Sequence, residues 1–446
     1  MSEEGNFLSA IAERPDDAAL RLVFADWLDE RDDFRGEFVR AGVEFDRTPP
    51  YDARRFQLAV RLRELLESHA FKAWLPSGPA FKWGWRRGLL TLIADTNLLG
   101  AEEPSEVARW LASEWVERVE FDTTGTRSNP AWDETFGLAR SAREVRFRVD
   151  NYGAEVLSRL REWPHLRELW ISYLMDPWAD LAALPRLRAL TLYNPDWTMM
   201  PELHGARLPG LEVLDIDKEW NDDLPHWGAC VPKLRALTLT HYNTYPDEQC
   251  ARFAECPQLR HLALYQRYQP FTRVGLKALA KLKELRSLSL GPWPRGTIEL
   301  LASLPKLERL EGDRKAGRIR GLESLTSLRW LSLGSVPLTK TVATQVVKLP
   351  HLSRLDLGRA ACEAGAIAEL ANAPALQILV INARDFGFRD EAMPAVSELA
   401  RLEQIQYLRI YSHKLDPGYV RTLQAALPAC RVVAGWEADE DAYDWS

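Results

Sequence analysis

Cysteine is scarce: five residues, Cys230, Cys250, Cys256, Cys362 and Cys430, in a chain of 446. An odd and widely scattered set argues against a disulfide framework and for a reducing, cytoplasmic setting. No run of about 18 uncharged apolar residues occurs, so no membrane-spanning helix is expected. The opening MSEEGNFLSAIAERPDD carries acids where a secretion signal needs cations. Metal-ligand spacings such as Cys-x-x-Cys and His-Glu-x-x-His are missing, and so are Gly-x-Ser-x-Gly, the P-loop and the dinucleotide glycine run. No catalytic residue, cofactor or metal is therefore expected. Cys362 and His351 are the nearest approach to a nucleophile and base, but His351 sits in a Pro-x-Leu corner with nothing to orient it.

Strong positive charge is lacking too. The net charge is -7, and it is unevenly spread: residues 1–47 carry a balance of -7, residues 437–446 one of -5, and the body between them +5. A body so mildly basic does not favour nucleic acid as a partner, because phosphate binding needs a stripe of cations.

What the chain has in abundance is leucine, and it recurs in phrase. Leu184-Pro185-x-Leu187-x-x-Leu190-x-Leu192 returns as Leu349-Pro350-x-Leu352-x-x-Leu355-x-Leu357. Weaker copies start at Trp163-Pro164, Leu208-Pro209, Val231-Pro232, Leu304-Pro305 and Leu427-Pro428. The third apolar position falls at Leu169, Leu190, Leu214, Leu237, Leu262, Leu288, Leu310, Leu331, Leu355, Leu379 and Leu408, spacings of 21 to 29 residues. Alternation of apolar residues across about five positions predicts a short strand with one buried face. Proline just before it holds the chain extended. Helical patterns such as Thr272–Lys281, Glu363–Ala371 and Arg389–Leu402 lie between strands. One such unit cannot bury its own leucines, so neighbours must stack.

This repeat resembles the leucine-rich-repeat family across residues 85–436. The resemblance implies an α/β solenoid, a curved parallel sheet with helices on its convex side. The family's Asn three residues after the last strand leucine is missing throughout; Pro195, Tyr242, Trp293 and Ala360 are among the residues found there.

Ahead of the repeats, Asp17 should cap a helix from Ala18 to Glu30, and a second short helix is predicted over Phe34–Ala41. The blocks Ala25-Asp26-Trp27-Leu28 and Arg35-Gly36-Glu37-Phe38, with Arg86-Arg87-Gly88 at the first degenerate repeats, resemble the bacterial repeat-companion domain. Asp32 replaces that family's turn glycine, and Ala41-Gly42 its usual Leu-Gln ending. The division expected is a helical domain over 1–47, a helical linker and cap over 48–84, the solenoid over 85–436 and an acidic tail over 437–446. Residues 1–47 are expected to be dispensable for folding of the solenoid.

With chemistry absent, surface remains. Residues flanking the buried leucines should line the concave face, and aromatics and aspartates gather in its first half. Trp170, Tyr193, Asp215, Asp217, Tyr242, Tyr265, Tyr268 and Trp293 are the expected partner-binding residues. Aromatics with a polar tip suit interface anchors, and aspartates suit a basic partner. The function read from this is a non-enzymatic cytoplasmic scaffold that recognises another protein. The alternative is a regulatory subunit or proteolytic substrate in a bacterial signalling or defence complex.

Overall fold

The alternating leucines do become strands, and the proline corners set where each begins. The computed structural model describes residues 2–76, 81–95, 109–110, 113–122, 144–150, 160, 166–172, 181–182, 184, 186–193, 207–217, 225–241, 247–266, 272–291, 293, 296–312, 319–334, 336–357, 362–382, 394–411 and 415–434. Two units divide the chain: residues 1–49 with 54–211, and residues 212–446 with the short segment Pro50–Ala53. The acidic tail over 437–446, Tyr242 and Tyr268 lie outside the described residues.

In the first unit, α1 (Glu3–Glu13), α2 (Ala18–Asp29), α3 (Arg35–Arg47), α4 (Ala53–Glu67) and α5 (His69–Trp74) precede β1 (Phe81–Arg86) and β2 (Leu89–Asp95). Then come β3 (Val116–Asp122), β4 (Glu144–Asp150), β5 (Leu166–Ser172) and β6 (Ala189–Tyr193). Asp17 caps α2 as expected, its carboxylate accepting from the Leu20 amide at 3.1 Å. The helix predicted over Phe34–Ala41 runs on to Arg47. The segment 48–84 is not wholly helical: β1 falls inside it and pairs antiparallel with β2, while β2 to β6 pair in parallel in chain order.

The helices and the first strands share one core. Phe24 of α2 packs on Phe7, Trp27 and Trp115, with centroids 5.4, 6.0 and 5.4 Å away. Trp74 of α5 meets Trp110 and Trp115 edge-on at 5.8 and 5.3 Å. Arg21 of α2 is buried and joins the equally buried Glu117 of β3 at 2.9 Å, while also donating to the Arg87 and Pro15 carbonyls. Arg35 stacks over Trp115 and is held by Glu4 at 2.9 Å. Residues 1–47 therefore supply part of the first unit's core. Their removal would leave Glu117 as a buried charge with Arg21 gone and uncover the ring cluster.

Two positions of the N-terminal helical region have backbone demands of their own. Asp32 has a left-handed backbone, φ +55, a conformation Asp tolerates better than most residues. Gly42 and Gly88 are two halves of one contact: a Cβ on Gly42 would lie 2.5 Å from the Gly88 Cα, and Gly88 itself has φ +82. Helix α3 thus crosses the β1–β2 turn backbone to backbone.

Among the described residues of the second unit ten parallel strands follow in order. They are β7 (Val213–Asp217), β8 (Ala236–His241), β9 (His261–Gln266), β10 (Ser287–Leu290), β11 (Arg309–Gly312), β12 (Trp330–Ser332), β13 (Arg354–Leu357), β14 (Ile378–Asn382), β15 (Tyr407–Tyr411) and β16 (Arg431–Ala434). Their register puts Leu214, Leu237, Leu262, Leu288, Leu310, Leu331, Leu355, Leu379 and Leu408 in one buried row. Short helices such as Arg273–Leu279 and Lys340–Val347 carry the chain between strands. This is the leucine stack that the period predicted, an α/β solenoid behind a helical N-terminal domain. Among the described residues no helix is long and apolar enough to cross a membrane.

Candidate binding face

The face opposite the leucines is built by the alternate residues of each strand. In the second unit the pairing forms two rows. One runs Ala236, His261, Ser287, Arg309, Trp330, Arg354, Ile378, Tyr407; the other runs Asp215, Thr238, Ala263, Ser289, Glu311, Ser332, Asp356, Val380, Arg409. Sequence alternation alone makes these equivalent surface. The structure does not.

From β10 to β15 the first row is buried. Its centre is Trp330, 1% exposed, with the guanidinium of Arg309 3.5 Å from the ring centroid and that of Arg354 3.8 Å from it. The indole N–H donates to Asp356 at 2.8 Å, and Asp356 also pairs with Arg354 at 2.9 Å. Arg309 pairs with Glu311 at 2.9 Å, and Ser289 donates to the same carboxylate. Two cations, two acids and one ring pair with one another, and these residues fill space. Sequence alternation placed Arg309, Trp330 and Arg354 on open display, and burial corrects that.

Over β7 to β9 the same face is half-open. Asp215, Asp217, Thr238, Thr240, Ala263 and Tyr265 all keep part of their surface in solvent. Asp217, Thr240 and Tyr265 are aligned across the three strands. Among the described residues neither aspartate has an ion-pair partner. Burial, and secondarily the charge of Asp217, pushes the Asp215 carboxyl up to about 7, and burial raises Asp217 as well. His261, beside them on β9, is pushed down to about 4 by burial and by Arg309, Arg260 and Arg286, so its ring is neutral near pH 7. Among the described residues the face thus contains two acids without a local cation.

In the first unit, Trp170 and Tyr193 stack at 6.1 Å and 18°, and Tyr193 is 45% exposed. Glu168, read from sequence as display, is instead engaged: Arg118 holds it at 2.5 Å and Arg86 at 3.4 Å, while Arg86 also pairs with Glu144.

Trp293 differs from its expectation as a loop anchor. It is 5% exposed and lies over Gly312, where a Cβ would come within 2.8 Å of the indole. Gly312 replaces a strand leucine, and the tryptophan from the preceding repeat fills the vacancy. The signal was present in the sequence: a glycine at a leucine position requires a large neighbour.

Nothing in this geometry makes a nucleophile of Cys362. Burial and the charge of Glu398 push its thiol up to about 11, opposite to the shift a reactive cysteine needs. Among the described residues no group of three or more His, Cys, Asp or Glu could hold a metal ion.

A family model described as a leucine-rich repeat region matches residues 149–426. No curated protein matches at a significant level. Among solved structures, an internalin from Listeria monocytogenes is similar at 15% identity, covering 78% of this chain and 87% of its own, with a TM-score of 0.33. A leucine-rich-repeat protein from Leptospira interrogans is similar at 15% identity over 77% of this chain and 88% of its own, TM-score 0.37. A TLR13–ssRNA13 complex is similar at 16% identity over 72% of this chain and 48% of its own, TM-score 0.40.

Proposed function

The chain belongs to the leucine-rich-repeat family, and from that premise we propose that it is a non-enzymatic scaffold that recognises a partner protein through exposed parts of its sheet face. The repeat fold is consistent with a protein-interaction scaffold. The observation that carries the finer reading is the pair Asp215 and Asp217, half-buried and without a cation among the described residues. A desolvated carboxylate pair gains most from a Lys or Arg delivered by a partner. Tyr265 on the same face, and the Trp170–Tyr193 stack in the first unit, supply rigid apolar area of the kind that anchors interfaces. Within the second unit, a partner of basic surface docking over β7 to β9 meets both the carboxylates and Tyr265.

The test is capture of partners from the native cell by the wild-type chain and by a variant with alanine at Trp170, Tyr193 and Tyr265. Melting curves establish that the variant is folded. The reading expects the specific partner to be lost, with about 2 kcal/mol of binding per true anchor. Undiminished capture overturns it. With a purified partner, affinity should weaken as pH falls below about 7, because protonated Asp215 no longer attracts a cation. The same pH series with Asp215→Asn should be flatter.

A further inference from the structure

At the edge where the strands of the second unit begin, the residues just before β10 to β13 form a ladder of their own. The Glu308 amide donates to the Arg286 carbonyl, the Arg329 amide to Glu308 and the Ser353 amide to Arg329, at 2.8 to 2.9 Å. Beside this ladder is a cavity of about 470 Å³ lined in part by Arg286, Lys306, Glu308, Thr326, Arg329 and His351. Three permanent cations, Arg286, Lys306 and Arg329, face one acid, Glu308.

That single acid is already engaged. Arg286 pairs with Glu308 at 3.3 Å, and the Tyr51 hydroxyl donates to its other oxygen at 3.3 Å. Tyr51 is itself fixed: Ser353 donates to its carbonyl at 2.7 Å, and Arg354 donates to the Pro50 carbonyl. Lys306 is held by Glu284 at 2.7 Å. Arg329 and His351, by contrast, have no acidic partner among the described residues; Arg329 lies 5.8 Å from the Tyr51 ring. Two nitrogen-rich side chains from successive repeats therefore share a concave, basic space with the Thr326 hydroxyl and no counter-charge of their own.

We propose that this cavity is a binding site for a tetrahedral oxyanion, of the phosphate monoester class, with Arg329 as its principal ligand and His351 and Lys306 as flanking donors. A guanidinium offers two parallel N–H groups to such an anion, and a dianion neutralises the charge excess of the lining. The site is distinct from the β7–β9 face and does not depend on the reading of that face.

The test titrates the full chain with inorganic phosphate, and with the pentapeptide Ala-Ala-Ser-Ala-Ala carrying phosphoserine, its unphosphorylated form serving as blank. Arg329→Gln should weaken both phosphate probes at least tenfold without moving the melting curve, and Arg329→Lys should recover part of the loss. Arg235→Gln, at a site where the arginine already pairs with Glu212, should stay within twofold of wild type. Phosphopeptide bound tenfold more tightly than phosphate assigns the site to a protein-borne group. Equal affinities assign it to a small free oxyanion. The proposal is overturned if neither probe binds, if Arg329→Gln binds as wild type does, or if Arg235→Gln loses as much, which would mean diffuse charge attraction.

Discussion

One sheet in the second unit carries two kinds of surface, although both come from the same alternation. Between β10 and β13 the large polar side chains on the face opposite the leucines pair with their neighbours: Arg309 and Arg354 close on Trp330, and Glu311 and Asp356 pair with them. Over β7 to β9 the side chains are shorter, and the two acids stand in adjacent positions without a cation among the described residues. The difference is in residue choice, not backbone: register and pairing are the same. A repeat face is therefore available for binding only where successive repeats fail to satisfy one another.

The contrast is tested most severely at its closed end. Trp330→Ala removes a ring packed on both faces and leaves two desolvated guanidinium groups facing a void. A loss of about 3–5 kcal/mol in denaturant unfolding is expected; a loss below about 1 kcal/mol would mean the closed face is not structural. Gly312→Ala should cost about 1–3 kcal/mol, because the new Cβ meets the Trp293 ring at 2.8 Å and the ring must shift.

A third measurement follows the pH dependence of stability. Asp215, with its native value near 7 against 3.8 for the ordinary group, holds a proton in the native state that the unfolded chain has released between those values. It therefore lowers stability as pH rises, by about 1.4 kcal/mol per unit. His261, near 4 against 6.5, does the opposite: the unfolded chain binds the extra proton, so stability is lost as pH falls. Between about pH 4 and 6.5 these two contributions cancel. Asp215→Asn should uncover a rise of stability with pH in that window, and His261→Gln a fall. Parallel slopes in both variants would contradict the assignment.

The smallest effect belongs to the open end. Tyr265→Ala should change stability by no more than about 0.5 kcal/mol, since the residue keeps part of its surface in water. A loss comparable to that of Trp330→Ala would erase the distinction between the two regions.

The period of the leucines made the stack readable, because a strand with one buried face repeats its pattern whatever lies on the other side. Reading the other face was less successful. Arg309, Trp330 and Arg354 look like display when each repeat is taken alone. Aligned across three repeats, the order Arg, Trp, Arg is a stacking sequence that only the comparison of neighbours reveals. Asp215 and Asp217 were legible as acids, but their desolvation was not, since it depends on what surrounds them. Helix α2 was legible from its Asp17 cap, and α3 as a helix from Phe34 onward, though not to its end at Arg47. The union of α2 with the strands rests on Arg21 and Glu117, 96 residues apart, a distance no local pattern spans.

The antiparallel pairing of β1 with β2 has a consequence for how the array can change in length. A parallel stack is in principle open at its first strand, where one more identical repeat could join by the same bonds. Here that position is taken by a strand running the other way, from Phe81 opposite Ala94 to Arg86 opposite Leu89, with α3 crossing at the turn. A duplicated repeat placed before β2 would lose this hairpin and the backbone contact of Gly42 with Gly88. Growth by duplication at that end is barred by chain direction.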